Sequence, residues 1–376
     1  MNFGCSSAPS ATDSEHAAHA SQELLDPSCA PFAASSPHHI VVPDEETLQD
    51  QLESAGPGTM IQLVSGRTYR GHFILFERNG TQEMPITICG NARIYGNGAL
   101  EGDGDDNKLH GLYVLRSKHF VISGIEVAHA EVGVHLKGSS SGLLSNIKVH
   151  DIGGPGVHFG QSSSTNVIEN SLIYDTGLEY PENGEGIYVG NAYENWPNCT
   201  SGPECYGGKL RDQSNCNRIV RNKIGPGVRS EAIDIKEGPI GTYVEQNYMI
   251  GGISEEVVLV RGAYNFFLEN TIEGSREHGV HNFEASLPFV HDFCKSNGFS
   301  RNNIRLDHTG YGFRTVDCEG SMIPNDGRGK NQVVDISGDT ATVKFSSPDP
   351  TSDVPEPFYW VPANTPGCLP VSWDSP

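Results

Sequence analysis

Two cationic side chains fall at equivalent points of neighbouring repeats. The segment Glu231-Ala-Ile-Asp234-Ile-Lys236 aligns on Glu256-Val-Val-Leu-Val-Arg261, which places Lys236 and Arg261 25 residues apart at matching positions. If the chain coils once per repeat, successive strands stack about 4.8 Å apart. An amine and a guanidinium then stand side by side on one outer wall, with Glu231, Asp234 and Glu256 close by. Two cations held that close suit an anion. The same residues also suit plain surface ion pairs, so the elements that would position them decide between the readings.

Those elements repeat. A short Gly-apolar strand recurs at His110-Gly-Leu-Tyr-Val, Val132-Gly-Val-His-Leu, Pro155-Gly-Val-His-Phe, Glu185-Gly-Ile-Tyr-Val, the two segments above, and His278-Gly-Val-His-Asn. Between them lies a second motif, as in Asn217-Arg-Ile-Val-Arg-Asn222 and Asn265-Phe-Phe-Leu-Glu-Asn270. Most repeats are in the low twenties, with two or three short strands in each, which is the mark of a solenoid. Gly and Asn punctuate the corners, where Asn tolerates left-handed backbone and can stack into ladders. The fold class expected is all-β, a right-handed parallel β-helix solenoid with a short N-terminal capping helix. Asp44-Glu-Glu-Thr-Leu-Gln-Asp-Gln-Leu-Glu supplies that helix, with acids suited to its first turn and a role in closing the open end.

The expected organisation is a disordered polar tail over 1–37, coils over 38–320 with a Cys-rich insertion at about 191–216, and a tail over 321–376 covering the far end. Within that last tail, Val333-Val-Asp-Ile and Ala341-Thr-Val-Lys-Phe are candidates for a final coil or hairpin. The stretch from Met1 to Gln22 lacks the basic start and apolar run of a signal peptide.

Charge narrows the partners. With 47 acidic against 25 basic residues the net charge is −22, which argues against nucleic acid. No apolar run is long enough for a membrane helix. A polyanion would be repelled by the global field unless a local cation overrides it. Nine cysteines without zinc-ligand spacing point to disulfides and an oxidising, extracellular location. Cys199, Cys205 and Cys216 are expected to staple the insertion, Cys294 to pair with Cys318, and Cys5 or Cys29 to be left over. Sequons at Asn79 and Asn198 agree with secretion. A capped solenoid is expected to be monomeric.

The residues then resemble a known family. Pro57-Gly-Thr-Met-Ile-Gln-Leu, Gly66-Arg-Thr-Tyr-Arg-Gly71 and Asn79-Gly-Thr-Gln-Glu-Met-Pro85-Ile-Thr-Ile look like the opening coils of the chondroitinase B/alginate lyase family of β-helix polysaccharide lyases, within the pectin lyase-like superfamily. Ser230-Glu231-Ala-Ile-Asp-Ile-Lys236, Val258-Leu-Val-Arg261-Gly262 and Asn265-Phe-Phe-Leu-Glu-Asn270 match it more specifically. The resemblance spans about 38–285 and implies Glu231 as a calcium ligand, Lys236 as base and Arg261 as acid. It departs where Arg229 replaces a second acid and where Gly262 follows Arg261 in place of His. Glu185 or Asp234 could supply the missing ligand.

The chemistry so implied is β-elimination on an acidic, uronic-acid-containing polysaccharide. A base takes the C5 proton and O4 is expelled, while a cation neutralises the carboxylate in the transition state. Lysine ordinarily titrates too high for a base. A neighbouring Arg and bound Ca²⁺ would lower it, whereas Glu231 and Asp234 oppose this unless a metal neutralises them. Tyr188 and His158, on an outward column with Tyr113, His135, Asp234 and His281, are candidates for substrate contact. So are His281 and Glu256, with Tyr188 poised to stack on a sugar. Trp196 is either a sugar platform or loop packing. Two other functions compete. One is a glycoside hydrolase using Glu231 or Asp234 with Glu185 or Glu256, since adjacent coils set carboxyls near the roughly 5–5.5 Å retaining separation. The other is a non-catalytic glycan-binding or surface solenoid.

Overall fold

The structure is a computed structural model. It describes residues 25–96, 110–252, 254–283, 293–307, 311–318, 320, 321, 323, 330–334 and 368. Three parallel sheets of ten, nine and ten strands run its length. Within each sheet the strand order follows the sequence, one strand per coil, as in Lys118–Ser123, Glu126–Ala128 and Val132–Lys137. This is a right-handed parallel β-helix. Alternation sends one column of each strand inward, and the inward residues, among them Ile122, Val134, Ile168, Ile233, Ile235, Val258 and Val260, form one continuous core. Each coil buries its apolar side only against its neighbours, so the core is a rod.

The corners follow the sequence-based expectation in part. Asn146 and Asn170 are left-handed, with φ of 54° and 50°, but in later coils the left-handed residue is the one before the Asn: Arg221, Gln246, Glu269 and Arg301 have φ of 54–55°. The asparagines that follow are buried and bond coil to coil. The backbone N–H of Asn222 donates to Asn247 Oδ1 (2.8 Å), that of Asn247 to Asn270 (2.9 Å), that of Asn270 to Asn302 (3.0 Å) and that of Asn302 to Asn331 (2.9 Å). Side-chain amides satisfy the corner groups that no strand can pair.

Asp44 caps the helix Glu45–Ser54 by accepting the Thr47 N–H at 2.8 Å, and Leu48 and Leu52 are buried against the first coils. Residues 25–37 are not a loose tail. Cys29 is fully buried and bonded to Cys89, and a 3₁₀ turn spans Ala30–Ser35. Asp26 anchors the approach by accepting from the Asn91 N–H at 3.2 Å. Residues 1–24, including Cys5, lie outside the described residues.

Within the insertion Cys199 pairs with Cys205. Cys216 reaches instead to Cys368, 152 residues on, so the insertion is stapled once and the third cysteine ties down the C-terminal segment. Cys294 pairs with Cys318. Gln332–Val334 is the last strand of the third sheet, while the segment from Ala341 to Phe345 lies outside the described residues. No helix among the described residues is long and apolar enough to cross a membrane.

Candidate functional site

The strands Ile233–Ile235 and Glu256–Val260 are neighbours in the nine-stranded sheet, with Asp234 opposite Leu259 and Ile235 opposite Val260. Because Ile233, Ile235, Val258 and Val260 point inward, Asp234 points out, and Lys236 and Arg261 emerge together just beyond the strands. Lys236 Nζ lies 2.6 Å from Asp234 Oδ2, and Arg261 Nη2 donates to both Asp234 oxygens at 3.1 and 3.3 Å. Asp234 is 1% exposed. Burial alone would raise its carboxyl, but the two cations hold it below the usual carboxylate range. Burial works against the Arg261 charge, and Asp234 and Glu237 more than restore it, leaving its pKa raised.

Two further acids close in. One oxygen each from Glu185, Glu231 and Asp234 lies within 4.8 Å of the others. Glu231 is held by the Ser230 hydroxyl (2.6 Å) and the Ser254 hydroxyl (2.8 Å). Burial, then Asp234, raises its carboxyl. Glu185 is buried, its Oε2 has no hydrogen-bond partner, and burial followed by the Asp234 charge pushes it up to about 8. Three buried carboxylates gathered this closely, one of them with an oxygen that has no hydrogen-bond partner, are the donor set of a hard cation. The residues fit Ca²⁺, which takes several oxygen ligands.

Glu237 escaped the sequence reading, because an acid next to Lys236 looks like a solvated partner. It is 3% exposed. Its Oε1 accepts the Tyr193 N–H at 2.6 Å and its Oε2 lies 3.7 Å from Arg261 Nη1. The insertion docks on the same turn. Arg211 Nη1 donates to the Gly238 carbonyl at 2.6 Å, and the Trp196 ring lies so close that a Cβ on Gly238 would meet it at 3.0 Å. Trp196 is 1% exposed, donates to the Asn191 carbonyl at 2.7 Å and meets Phe293 edge-on. It is loop packing, because its whole surface is spent on holding the insertion.

The outward column runs Tyr113, His135, His158, Tyr188, Asp234, Leu259, His281. His158 stacks on His135 at 4.4 Å and bonds the Gly190 carbonyl at 3.0 Å. The Tyr188 ring is packed between His158, 4.4 Å away, and Lys236 Nζ, 4.8 Å from its centroid. Both neighbours occupy the ring, so Tyr188 presents an edge and not a face for stacking on a sugar. It lines a cleft of about 420 Å³ with Glu131, His158, Tyr180, Asn183, Glu185, Asn191 and Asn195. His281 pairs with Glu256 at 2.8 Å. That pair stands apart from the Lys236 cluster, linked to Arg261 through the Phe283 ring.

Comparison with known proteins follows this geometry. The family model described as right handed beta helix region matches residues 76–224. An alginate lyase from Paenibacillus sp. str. FPU-7 superposes with a TM-score of 0.64 at 27% identity, covering 78% of this chain and 97% of that one. The chain has the right-handed parallel β-helix that the family model describes and that this alginate lyase shares. This β-helix is also similar to the pectate lyase Pel9A (TM-score 0.54, 15% identity, 75% of this chain and 73% of that one). It resembles PfbA, a surface adhesin of Streptococcus pneumoniae, as well (0.53, 11%, 80% and 76%). These two likenesses speak to the fold alone. No curated protein matches the β-helix sequence.

Proposed function

We propose that the chain is a secreted polysaccharide lyase that cleaves a uronic-acid-containing glycan by β-elimination. The observation that carries this is the convergence of Lys236 and Arg261, from adjacent coils, on one buried carboxylate beside Glu185 and Glu231. The 27% identity to an alginate lyase over 78% of the chain supports the reaction class. Four disulfides among the described residues support an oxidising, extracellular setting.

In the reaction Arg261 binds the substrate carboxylate, taking it in the place Asp234 now fills. Lys236 Nζ, once it has left Asp234 and given up its own proton to water, takes the C5 proton as the neutral amine. The C5–H electron pair forms the C4–C5 double bond as the C4–O4 bond breaks, and the leaving oxygen takes a proton from the hydrogen-bonded network around Arg261. Positive charge aimed at the carboxylate stabilises the doubly charged transition state. Glu185, Glu231 and Asp234 would hold Ca²⁺, which would add to that neutralisation.

One observation favours a second reading. Glu185, raised to about 8 and close to Asp234, which stays ionised, has the makings of a glycosidase acid paired with a nucleophile. A single assay separates the two. Elimination yields an unsaturated uronide that absorbs in the ultraviolet, whereas hydrolysis yields reducing ends without that absorbance. Lys236→Ala abolishes product if the chain is a lyase and spares it if the Glu185 pair does the work. A chain that binds a glycan and forms neither product is a binding solenoid.

A further inference from the structure

Cys199–Cys205 stands apart from the other disulfides among the described residues. Cys29, Cys89, Cys294, Cys318 and Cys368 are buried, so each of the other bonds has at least one buried partner. Cys199 and Cys205 are both half-buried, and residues 200–203 between them are exposed. An attacking thiolate must reach a sulfur, so access favours this bond. It also closes the shortest loop, with a separation of 6 residues against 24, 60 and 152. A short loop takes the least entropy from the unfolded chain, so opening this bond costs the fold as a whole the least.

The bond lies at the foot of the contacts that reach the turn after Ile233–Ile235. Glu204, next to Cys205, accepts from Arg211 Nε on its side chain and from the Arg211 N–H on its carbonyl at 2.8 Å. Arg211 is buried and passes the hold on by donating to the Gly238 carbonyl. On the other half of the bond, the Cys199 N–H donates to the Gly208 carbonyl at 2.9 Å and Asn198 bridges to Lys209, so the disulfide clasps the hairpin that starts at Cys205. The Tyr206 ring meets Phe293, which in turn meets Trp196. That cluster seats Tyr193, whose N–H Glu237 accepts.

We propose that Cys199–Cys205 is a site of thiol–disulfide exchange that governs the candidate catalytic pair, with low-molecular-weight thiols as the reactants. A thiolate attacks one sulfur, forms a mixed disulfide and expels the other sulfur as a thiolate. A second thiol resolves the mixed disulfide. Two protein thiols and one small oxidised disulfide result, two electrons having passed to the protein. Once open, the hairpin no longer fixes Glu204 beside Arg211, and the Gly238 carbonyl and Glu237 lose the donors that the insertion brings. Arg261 then loses a fixed neighbour at 3.7 Å. The loss of turnover rests on the lyase reading, whereas the exchange and the loosening do not. Full activity is thereby tied to oxidising surroundings.

The test holds the oxidised, full chain in glutathione buffers of increasing reducing strength. Free thiols are trapped by alkylation and mapped by mass spectrometry. Elimination from a panel of uronate-containing glycans is followed by ultraviolet absorbance, and exchange of the Tyr193 amide hydrogen reports the bond to Glu237 without any substrate. Cys199 and Cys205 are expected to label together, before the other disulfide cysteines. At that point elimination is expected to fall by about 10- to 100-fold, in kcat more than in KM. Tyr193 exchange is expected to quicken while the melting temperature moves little, and oxidised glutathione is expected to restore the starting state. The double variant Cys199→Ser with Cys205→Ser is expected to begin at the low rate and to ignore thiols. Labelling of Cys199 and Cys205 no earlier than the rest overturns the exchange site. Early labelling with elimination unchanged, or with Tyr193 exchange unchanged, overturns its control of the pair. Quickened Tyr193 exchange without elimination in either redox state overturns the lyase reading and leaves the exchange site and its hold on the turn.

Discussion

Glu237 joins Tyr193 to Arg261, accepting a backbone N–H from the insertion on one carboxylate oxygen while the other faces the guanidinium at 3.7 Å. The insertion thus reaches the candidate catalytic pair through one buried side chain. Glu237→Gln keeps an acceptor for Tyr193 and removes the charge that steadies Arg261. A guanidinium displaced by an ångström is expected to cost about 10- to 100-fold in kcat, with the melting temperature nearly unchanged. Glu237→Asp is expected to recover part of the loss. A variant with full kcat would remove Glu237 from any role in placing Arg261.

Calcium should register in stability as well as turnover. A ligand that binds only the folded chain stabilises it by about 2.7 kcal/mol at a hundredfold excess over Kd. Melting temperature is expected to rise with Ca²⁺ and fall back with chelator. Glu185→Gln and Glu231→Gln are expected to flatten that response. A rise that persists in both variants would place the cation elsewhere.

The histidine column makes stability depend on pH. Burial holds His110 at about 3 and His158 at about 4, against 6.5 in an open chain. Above pH 6.5 these rings are neutral in both states and their contribution is complete. Between 6.5 and about 4 the unfolded chain takes up protons that the folded chain refuses, so stability falls as pH drops, by on the order of 3 kcal/mol for His158. Glu185, whose folded value is the higher, acts in the opposite sense. The effect is therefore read as a difference: His158→Asn should lose less urea resistance than the parent between pH 7 and pH 5. Equal losses would show that the ring is protonated in the fold.

The asparagine ladder carries load at every rung. Asn247 accepts from the backbone and side chain of Asn222 and donates to Ile219 and Asn270. Asn247→Ala strips partners from buried groups on both sides and is expected to cost roughly 3 kcal/mol in chemical denaturation. Asn79→Ala, at a corner outside the ladder, is the control.

How much of this could be read from the chain follows from distance along it. Lys236 and Arg261 are one coil apart, and a repeat places such residues side by side whatever the rest does. The same logic reached the outward column from Tyr113 to His281, because each member sits at the same offset from an inward apolar pair. Tyr193 and Glu237 are joined across a 44-residue separation by a loop that obeys no period, so no spacing announces the contact. Cys216 lay among two insertion cysteines and pairs with a residue beyond the last coil. Trp196 was ambiguous because a large aromatic in an irregular loop looks alike whether it faces a sugar or its own support. The left-handed corner residue is the Asn at Asn146 and Asn170, as its type suggests, but in later coils charged side chains such as Arg221 and Glu269 occupy that place and the conspicuous Asn beside them does another job.

The bond from Cys216 to Cys368 has a mechanical consequence. A solenoid frays by shedding coils from its ends, each loss exposing the next. Here the chain leaving the last coils is fastened back at the corner before the strand Arg218–Val220, so the coils that carry Lys236 and Arg261 lie inside a covalent ring. A tug on the C-terminus is delivered to the middle of the rod and bypasses its end. Coils that come loose there stay tethered beside their docking site and can wind back on.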